Sequence, residues 1–290
     1  MISNYFNDKP IFILGNPRSG TSLLRLMLDT HTDISIPPES HFFLWLEEKY
    51  GDWEINMLDN YLNDLFTSTK FETWSFNREN LKLYLEQKQI KSYAHLTSLI
   101  YSYYAFVKNK GIKFWGDKNS LWIEKLSKIN KYYPQAYYIH IIRDGRDVAC
   151  SYKDLNNKQS KSQYAPNLPS KIEVIAKDWV KNIEAIDVFL THIDINNKIV
   201  IHYEDLITNT KSTLTKVLSK IDLDPIEAQM KYYQKPKTEI EPEAFFDWKE
   251  KLTKPPDVKN IGKYQQELSN KEIEIFNNLA KSTLSKYHYL

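Results

Sequence analysis

A short loop rich in small and hydroxyl residues follows the first apolar segment, and its residue types suit the binding of a phosphate or a sulfate. The stretch from Ile11 to Leu28 reads IFILGNPRSGTSLLRLML, an apolar run, a Pro/Gly turn and then an amphipathic pattern. This order predicts a strand that leads through a loop into a helix. Backbone N–H groups at a helix N-terminus, with the positive end of the helix dipole, hold such an anion. The residues predicted to bind it are Arg18, Ser19, Gly20, Thr21 and Ser22.

The loop differs from that of the nucleoside-triphosphate hydrolases at the decisive position. Gly15 and Gly20 have the spacing of the pattern G-x-x-x-x-G-K-S/T, but Thr21 stands where the lysine should be. The basic residue, Arg18, lies inside the loop instead. Nucleoside-triphosphate hydrolysis is therefore disfavoured. A P-loop kinase of a small metabolite is the second interpretation, although it would need that lysine and a carboxylate that holds Mg²⁺.

A second strand-to-helix turn is predicted from Tyr137 to Tyr152, YYIHIIRDGRDVACSY. The apolar run ends at Arg143, the chain turns at an Asp-Gly pair, and the following helix carries Ser151. An arginine can pair bidentately with a phosphate, and a serine two helical turns further on can add a hydroxyl donor. The alternative for Arg143 is an ion pair with Asp144 or Asp147.

Together the two elements resemble the PAPS-dependent sulfotransferases, and they occur here in the order of that family. There a P-R-S-G-T-S/T loop binds the 5′-phosphosulfate of 3′-phosphoadenylyl sulfate (PAPS), and a second turn binds the 3′-phosphate. The resemblance implies an α/β fold with a P-loop-like parallel sheet flanked by helices. It also implies sulfuryl transfer from PAPS to a hydroxyl or an amine, with adenosine 3′,5′-bisphosphate (PAP) as product and no metal.

The resemblance also implies catalytic residues. When SO₃ leaves a phosphate, negative charge grows on the bridging oxygen, and cations or N–H groups at that oxygen lower the barrier. Arg18 is predicted there, and Lys118 occupies the family's G-D-K position, which resembles the lysine that contacts the transferring group. Glu39 follows two prolines, where a glutamate of the tyrosylprotein and several bacterial sulfotransferases looks like the general base. His41 is the rival base.

Two further residues are predicted cofactor contacts from short motifs. Tyr203, in the run HYEDL, matches a recurrent Y-E-D-L element at a strand end and is predicted near the adenine. Lys263, in NIGKY, is similar to part of the family's last cofactor-binding stretch, but the G-x-x-G-x-x-K run of cytosolic members is missing. Lys263 is therefore the weaker candidate.

The elements that position these residues are predicted from apolar runs. Runs at 11–14, 138–142 and 199–202 read as buried parallel strands, each followed by a helical pattern, which is typical of βαβ units within one domain of residues 1–290. Residues 41–112 are predicted to form a helical lobe on the acceptor side, whose many aromatic rings serve either acceptor recognition or only the core. Stretches 156–170 and 235–263 are predicted as long loops, either lids or plain surface excursions.

Composition excludes several classes of partner. Lys and Arg number 39 against 37 Asp and Glu, so the net charge of +2 provides no basic field for nucleic acid. The single cysteine, Cys150, excludes an intrachain disulfide and fits a reducing compartment. No basic start, signal peptide or membrane-spanning run is visible, so a cytoplasmic enzyme is expected. No metal-ligand spacing is found. The sequence leaves the acceptor open between a glycan, a lipid and a small metabolite, and it leaves the oligomeric state open. An inactive PAP-binding protein stays an alternative to an enzyme.

Overall fold

Five parallel strands form the sheet at the centre of the fold, in the order β2-β3-β1-β4-β5. The computed structural model describes residues 9–158, 160 and 162–290. The strands are β1 (Ile11–Leu14), β2 (Ile34–Ser35), β3 (Phe114–Lys118), β4 (Tyr137–Ile142) and β5 (Lys198–His202). The predicted parallel sheet is confirmed, and the three strands predicted from apolar runs agree with β1, β4 and β5 to within one residue.

Helices cover both faces of this sheet, as the α/β prediction requires. They are α1 (Thr21–Asp29), α2 (Phe42–Trp45), α3 (Glu47–Tyr50), α4 (Leu58–Phe66), α5 (Arg78–Glu86), α6 (Tyr93–Val107), α7 (Leu126–Tyr132), α8 (Gly145–Lys158), α9 (Ile172–Thr191), α10 (Tyr203–Thr208), α11 (Thr210–Leu218), α12 (Glu227–Met230), α13 (Lys237–Ile240), α14 (Phe246–Lys249), α15 (Tyr264–Glu267) and α16 (Asn270–Lys286).

Strand β1 explains why the core has two main layers. Ile11 and Ile13 pack with α1, α10 and α11 on one face of the sheet, whereas Phe12 and Leu14 pack with the helical lobe on the other. Successive side chains of a strand point to opposite faces, so a continuous apolar run is buried only when both faces are covered. The inner strands are therefore an internal scaffold, whereas the edge strand β5 is partly exposed, with Val200 at its middle 43% accessible.

Strands β2 and β3 were not among the predicted strands. The five residues of β3 are all buried, although the strand ends in Asp117 and Lys118. Charged residues hide the apolar pattern by which a buried strand is recognised. They are tolerated here because Tyr101 donates a hydrogen bond to Asp117 and Glu39 accepts one from Lys118. Burial raises the pKa of Asp117 to about 8, so this carboxyl group is mostly protonated at neutral pH.

The predicted helical lobe forms, and its rings are mainly core. Phe42, Phe43, Tyr50, Tyr61 and Trp74 are buried, and Trp53 and Phe66 pack against the same cluster. Trp45 and Phe106 are the exceptions, with 48% and 46% of their surfaces exposed. Of the two roles that the sequence left open for these rings, packing accounts for the buried ones.

The two predicted loops differ from expectation in different ways. Residues 156–158 of the first belong to the end of α8, and residues 159 and 161 lie outside the described residues. The second, residues 235–263, contains α13, α14 and short 3₁₀ turns, with Ile240 and Phe245 buried. This C-terminal segment is thus an ordered wall that folds back onto the strand ends.

Candidate active site

A cleft of about 370 Å³ lies at the carboxyl ends of the strands, where parallel α/β sheets bind their ligands. The anion-binding loop follows β1, and the second strand-to-helix turn follows the adjacent β4. Both elements line the cleft together with the C-terminal segment. The structure brings together eight of the predicted cofactor residues in its lining: Arg18, Gly20, Thr21, Ser22, Arg143, Ser151, Tyr203 and Lys263.

The loop after β1 is held in a tight conformation by backbone geometry. Gly20 has a φ of 92°, in the left-handed region that favours glycine, and precedes the first residue of α1. A Cβ atom at Gly20 would lie 2.4 Å from the Tyr203 ring, so only glycine fits there. Ser19 is buried and is not part of the cleft lining. Its backbone N–H donates to Asn16 O at 3.1 Å, so its contact with the cofactor stays a prediction.

Arg18 extends toward the second phosphate element. Its Nε donates a hydrogen bond to Ser151 Oγ at 3.2 Å. Burial and the neighbouring Arg143 lower the pKa of the Arg18 guanidinium, because two cations share one poorly solvated place. The cleft therefore has a cationic end built from two arginines, which suits a dianionic phosphate.

Arg143 has no carboxylate partner among the described residues. Its two terminal nitrogens donate to backbone oxygens, of Arg18 at 3.2 Å and of Asn260 at 2.7 Å. Its guanidinium lies 4.5 Å from the centre of the Tyr203 ring. Neither ion pair considered from the sequence forms. Asp144 pairs with Arg146 at 2.8 Å, and Asp147 accepts hydrogen bonds from the backbone N–H groups of Gly262 and Tyr264. Arg143 therefore has no direct contact with a carboxylate at the cleft.

Lys263 lies at the same end of the cleft, but two carboxylates compensate its positive charge. Its Nζ donates to Asp154 and to Glu267, both at 2.9 Å. Burial would lower the pKa of Lys263, but these two carboxylates outweigh it and raise the pKa. A lysine shared between two carboxylates attracts an incoming anion less strongly than Arg143 does, so Lys263 remains the weaker candidate.

The predicted base and the predicted catalytic lysine form one buried ion-pair cluster. Lys118 Nζ and Lys70 Nζ each lie 3.0 Å from one of the two carboxylate oxygens of Glu39. Glu39 is reached from β2 through two prolines, and Lys118 ends the neighbouring strand β3. Burial alone would raise the pKa of Glu39, but Lys118, Lys70 and Lys249 hold it well below its ordinary value. Glu39 is thus ionised at neutral pH, but in this arrangement it is a weak base.

His41 is buried beside this cluster, with its ring 4.6 Å from that of Trp45. Neither ring nitrogen has a hydrogen-bond partner among the described residues. Burial and the charge of Lys70 lower the pKa of His41 to about 4. The imidazole is therefore neutral at pH 7, and His41 stays available as the rival base.

Of the C-terminal segment, the sequence identified Lys263 and its NIGKY run but not the other polar and aromatic residues of the cleft lining. These residues include Trp248, Lys249, Lys251 and Lys254. The one signal was the run WKEKLTK, which concentrates lysines in a stretch that was predicted as a long loop, either a lid or a surface excursion. Lys249 Nζ donates to Glu241 Oε1 at 3.1 Å, and Arg25 of α1 donates to the same oxygen at 2.9 Å.

Other candidate sites are not supported within the parts of the chain that the structure describes. No group of three or more His, Cys, Asp or Glu side chains there could hold a metal ion. No helix in the described ranges is long and apolar enough to span a membrane. Cys150 is buried, and burial raises the pKa of its thiol to about 12. Cys150 of α8 packs in the core cluster shared by α8, α9 and α16.

Comparisons with known proteins agree with this geometry. A family model described as "Sulfotransferase family" matches residues 10–227. A comparison with curated proteins finds no match. Among solved structures, the chain is similar to a sulfotransferase domain from the curacin biosynthetic pathway, with 18% identity, a TM-score of 0.62, and 94% of this chain and 97% of that chain covered.

Two further structures show the same fold. A sulfotransferase domain from the Synechococcus PCC 7002 olefin synthase is 19% identical, with a TM-score of 0.59 and coverage of 97% of this chain and 98% of that one. A mouse sulfotransferase complexed with PAP is 15% identical, with a TM-score of 0.51 and coverage of 96% and 84%. At these identities the likeness concerns the fold, while the family match concerns descent. The sulfotransferase resemblance predicted from the sequence is confirmed.

Proposed function

Because the chain belongs to the sulfotransferase family, we propose that it transfers the sulfuryl group of PAPS to a hydroxyl or an amine of an acceptor. The observation that carries this proposal is the single cleft lined by both strand-to-helix elements, each with an arginine. A P-loop kinase is disfavoured, since Thr21 replaces the lysine that such an enzyme needs. The family match disfavours it as well.

In this proposal the donor binds in one orientation, with its 5′-phosphosulfate at the loop and its 3′-phosphate at the second turn. Loop amides with Thr21 and Ser22 hold the 5′-phosphosulfate at the N-terminus of α1. Arg143 and Ser151 hold the 3′-phosphate, with Lys263 as a weaker contact, and Tyr203 packs near the adenine. Arg18 lies between these two groups. In this structure its hydrogen bond to Ser151 holds its side chain near the place proposed for the 3′-phosphate. Its predicted contact with the bridging oxygen requires that this bond be exchanged when the donor binds.

The transfer step assigns a role to the Glu39–Lys118 pair. The acceptor oxygen or nitrogen forms a bond to sulfur while the bond from sulfur to the bridging oxygen breaks, and PAP leaves with that electron pair. The acceptor proton passes to Glu39. Lys118 stabilises the transferring group. When Lys118 turns from Glu39 to the donor, one carboxylate oxygen of Glu39 is freed and the pKa of Glu39 rises. Donor binding therefore makes Glu39 a stronger base.

Adenosine 3′,5′-bisphosphate is expected to bind and stabilise the fold without added metal. At 100 times its dissociation constant it should raise the free energy of unfolding by about 2.7 kcal/mol. Calorimetric titration and thermal unfolding in EDTA test this. The absence of heat and of a melting shift at millimolar PAP would refute the donor assignment. Stabilisation by ATP that requires Mg²⁺ would favour the kinase, and PAP binding without turnover on any acceptor would favour an inactive binding protein.

Arg143→Ala is expected to weaken PAP binding by about 1.5–3 kcal/mol while leaving the affinity for adenosine 5′-monophosphate nearly unchanged. The reason is that Arg143 has no carboxylate partner and its guanidinium is proposed to bind only the 3′-phosphate. Titration calorimetry with both nucleotides measures the difference. Arg78→Ala, on the helical lobe, is the matched control. Equal losses for the two nucleotides would show that Arg143 supports the loop or the 5′ side.

The acceptor class is the part of the function with the least structural constraint. Trp45 is an exposed ring of the lobe and lies beside His41. Its exposed surface suits stacking against a sugar or burial of an apolar chain. We propose a small-molecule, glycan or lipid acceptor, modified in the cytoplasm. Incubation of ³⁵S-labelled PAPS with extracts of the source cell identifies the acceptor class from the labelled product.

A further inference from the structure

Lys249 is the most deeply buried lysine of the cleft lining. Its surface is 6% exposed, and it ends α14 in the C-terminal segment, outside the residues matched by the family model. It lines the cleft together with Thr21 and Ser22 at the N-terminus of α1. It also lies within electrostatic range of Lys118 and Glu39. Lys249 therefore lies between the loop that holds the phosphosulfate and the pair that is proposed to carry out transfer.

The buried charges around Lys249 do not balance. Arg25 and Lys249 share the carboxylate of Glu241, while Lys70 and Lys118 share that of Glu39. The cluster thus holds four cations and two carboxylates, a net charge of +2. Asp117 adds no negative charge at neutral pH, because its raised pKa keeps it mostly protonated. A buried excess of positive charge is unfavourable unless an anion completes it.

Lys249 is the cation whose charge is held most weakly. Burial lowers its pKa to about 8, and the nearby cations Lys118 and Arg25 act in the same direction, against the attraction of Glu241 and Glu39. At pH 7 the ammonium remains mostly protonated. Arg25 already satisfies the same oxygen of Glu241. Lys249 can therefore give up its bond to Glu241 when an anion arrives without leaving that carboxylate unpaired.

The two arginines of the cleft are engaged by other groups. Arg18 contacts Ser151, and Arg143 contacts the backbone of Asn260. The loop itself provides no lysine. Beside Lys118, which does not line the cleft, Lys249 is a lining lysine within electrostatic range of Glu39 and can bring a second ammonium to the phosphosulfate.

On these grounds we propose that Lys249 contacts the sulfuryl group of PAPS and makes the cleft prefer the loaded donor over PAP. This inference rests on the proposed function. The sulfuryl group of PAPS carries one negative charge on oxygens that PAP lacks, whereas PAP gains a second negative charge on its 5′-phosphate when the bond to sulfur breaks. The total charges of the two molecules are therefore similar, and the preference depends on position. A contact with the sulfuryl oxygens strengthens binding of PAPS alone, and release of PAP after transfer is correspondingly easier.

Lys249→Met tests the proposal, because methionine keeps much of the side-chain length and removes the charge. We expect the dissociation constant of PAPS to rise by about 10-fold or more, as for the loss of a hydrogen bond to a charged group. The dissociation constant of PAP is expected to change by less than threefold. Lys249→Arg keeps the charge and is expected to retain most of the preference for PAPS. Titration calorimetry of the full chain without acceptor measures the dissociation constants of PAPS and of PAP for the wild type and for each variant.

Lys231→Met is the matched control, since it removes a lysine from an exposed ion pair with Glu227. It should leave both affinities unchanged, which separates a local contact from an effect of net charge. Equal weakening of PAPS and PAP by Lys249→Met overturns the proposal, and so does unchanged binding of both. If Lys249→Met does not fold, loss of the preference for PAPS in a folded Lys249→Arg overturns it. Absence of PAP binding by the wild-type chain refutes the proposed function itself.

Discussion

Glu39→Gln is expected to lower the turnover number by about 10²–10⁴, the usual contribution of a general base, while PAP affinity stays within a few-fold of the wild type. Glutamine keeps the size and the hydrogen-bonding capacity of the side chain but cannot accept the acceptor's proton. The change removes the counter-charge of Lys118 and Lys70 and turns an amide N–H₂ group toward one of them, so a loss of stability is expected as well, and thermal unfolding of the variant is measured beside its rate. The measurement is the steady-state rate of sulfation of an acceptor found with ³⁵S-labelled PAPS.

Two controls separate basicity from position and charge. Glu48→Gln makes the same change at an exposed site on α3 and is expected to leave the rate unaltered. His41→Ala tests the rival base. A near-normal rate in Glu39→Gln together with a large loss in His41→Ala would assign the base to His41. Normal rates in both variants would mean that the acceptor loses its proton to water or arrives deprotonated.

Glu241→Ala is expected to reduce the free energy of unfolding by about 3–5 kcal/mol, the range for breaking a buried ion pair by removal of one partner. The Glu241 side chain is fully buried and accepts bonds from both Arg25 and Lys249. Its removal leaves two buried cations without a counter-charge. Urea-induced unfolding followed by circular dichroism gives the change in free energy.

The control is Glu227→Ala, which breaks an exposed pair with Lys231 and is expected to lower stability by less than about 1 kcal/mol. Adding Lys249→Met to Glu241→Ala removes one of the two unbalanced cations and should recover part of the lost stability. Additive losses in the double variant, or a Glu241→Ala protein as stable as the control, would contradict this account of the cluster.

Local sequence patterns were sufficient for the elements that carry the two phosphate sites. Strands β1 and β4 are short apolar runs bounded by turns, and each turn leads directly into an amphipathic helix. The loop residues and Arg143 could be identified because an apolar strand gives way to basic and hydroxyl side chains at the same few positions where a helical pattern begins. The S-x-x-E spacing of Ser269 and Glu272 is a local signal of the same kind, and the two residues form a capping box at the start of α16.

Long-range charge pairing could not be predicted in the same way. Strand β3 was missed because Asp117 and Lys118 look like surface residues until their partners Tyr101 and Glu39 are known. Lys249 was missed because one lysine in a polar stretch resembles any other. Its role depends on Glu241 and on Arg25, which no local pattern connects.

The wall of the cleft has a consequence for how the protein is made. The Arg25–Glu241 contact joins residues 216 positions apart, and the bond from Arg143 to Asn260 spans 117. Contacts of such sequence separation form late, because the entropy of closing a long loop is lost before they can form. A nascent chain that ends before α13 at Lys237 holds both phosphate elements but lacks the segment that closes over them. We therefore expect the donor to bind only after the ribosome has synthesised the chain through the C-terminal segment, residues 235–263.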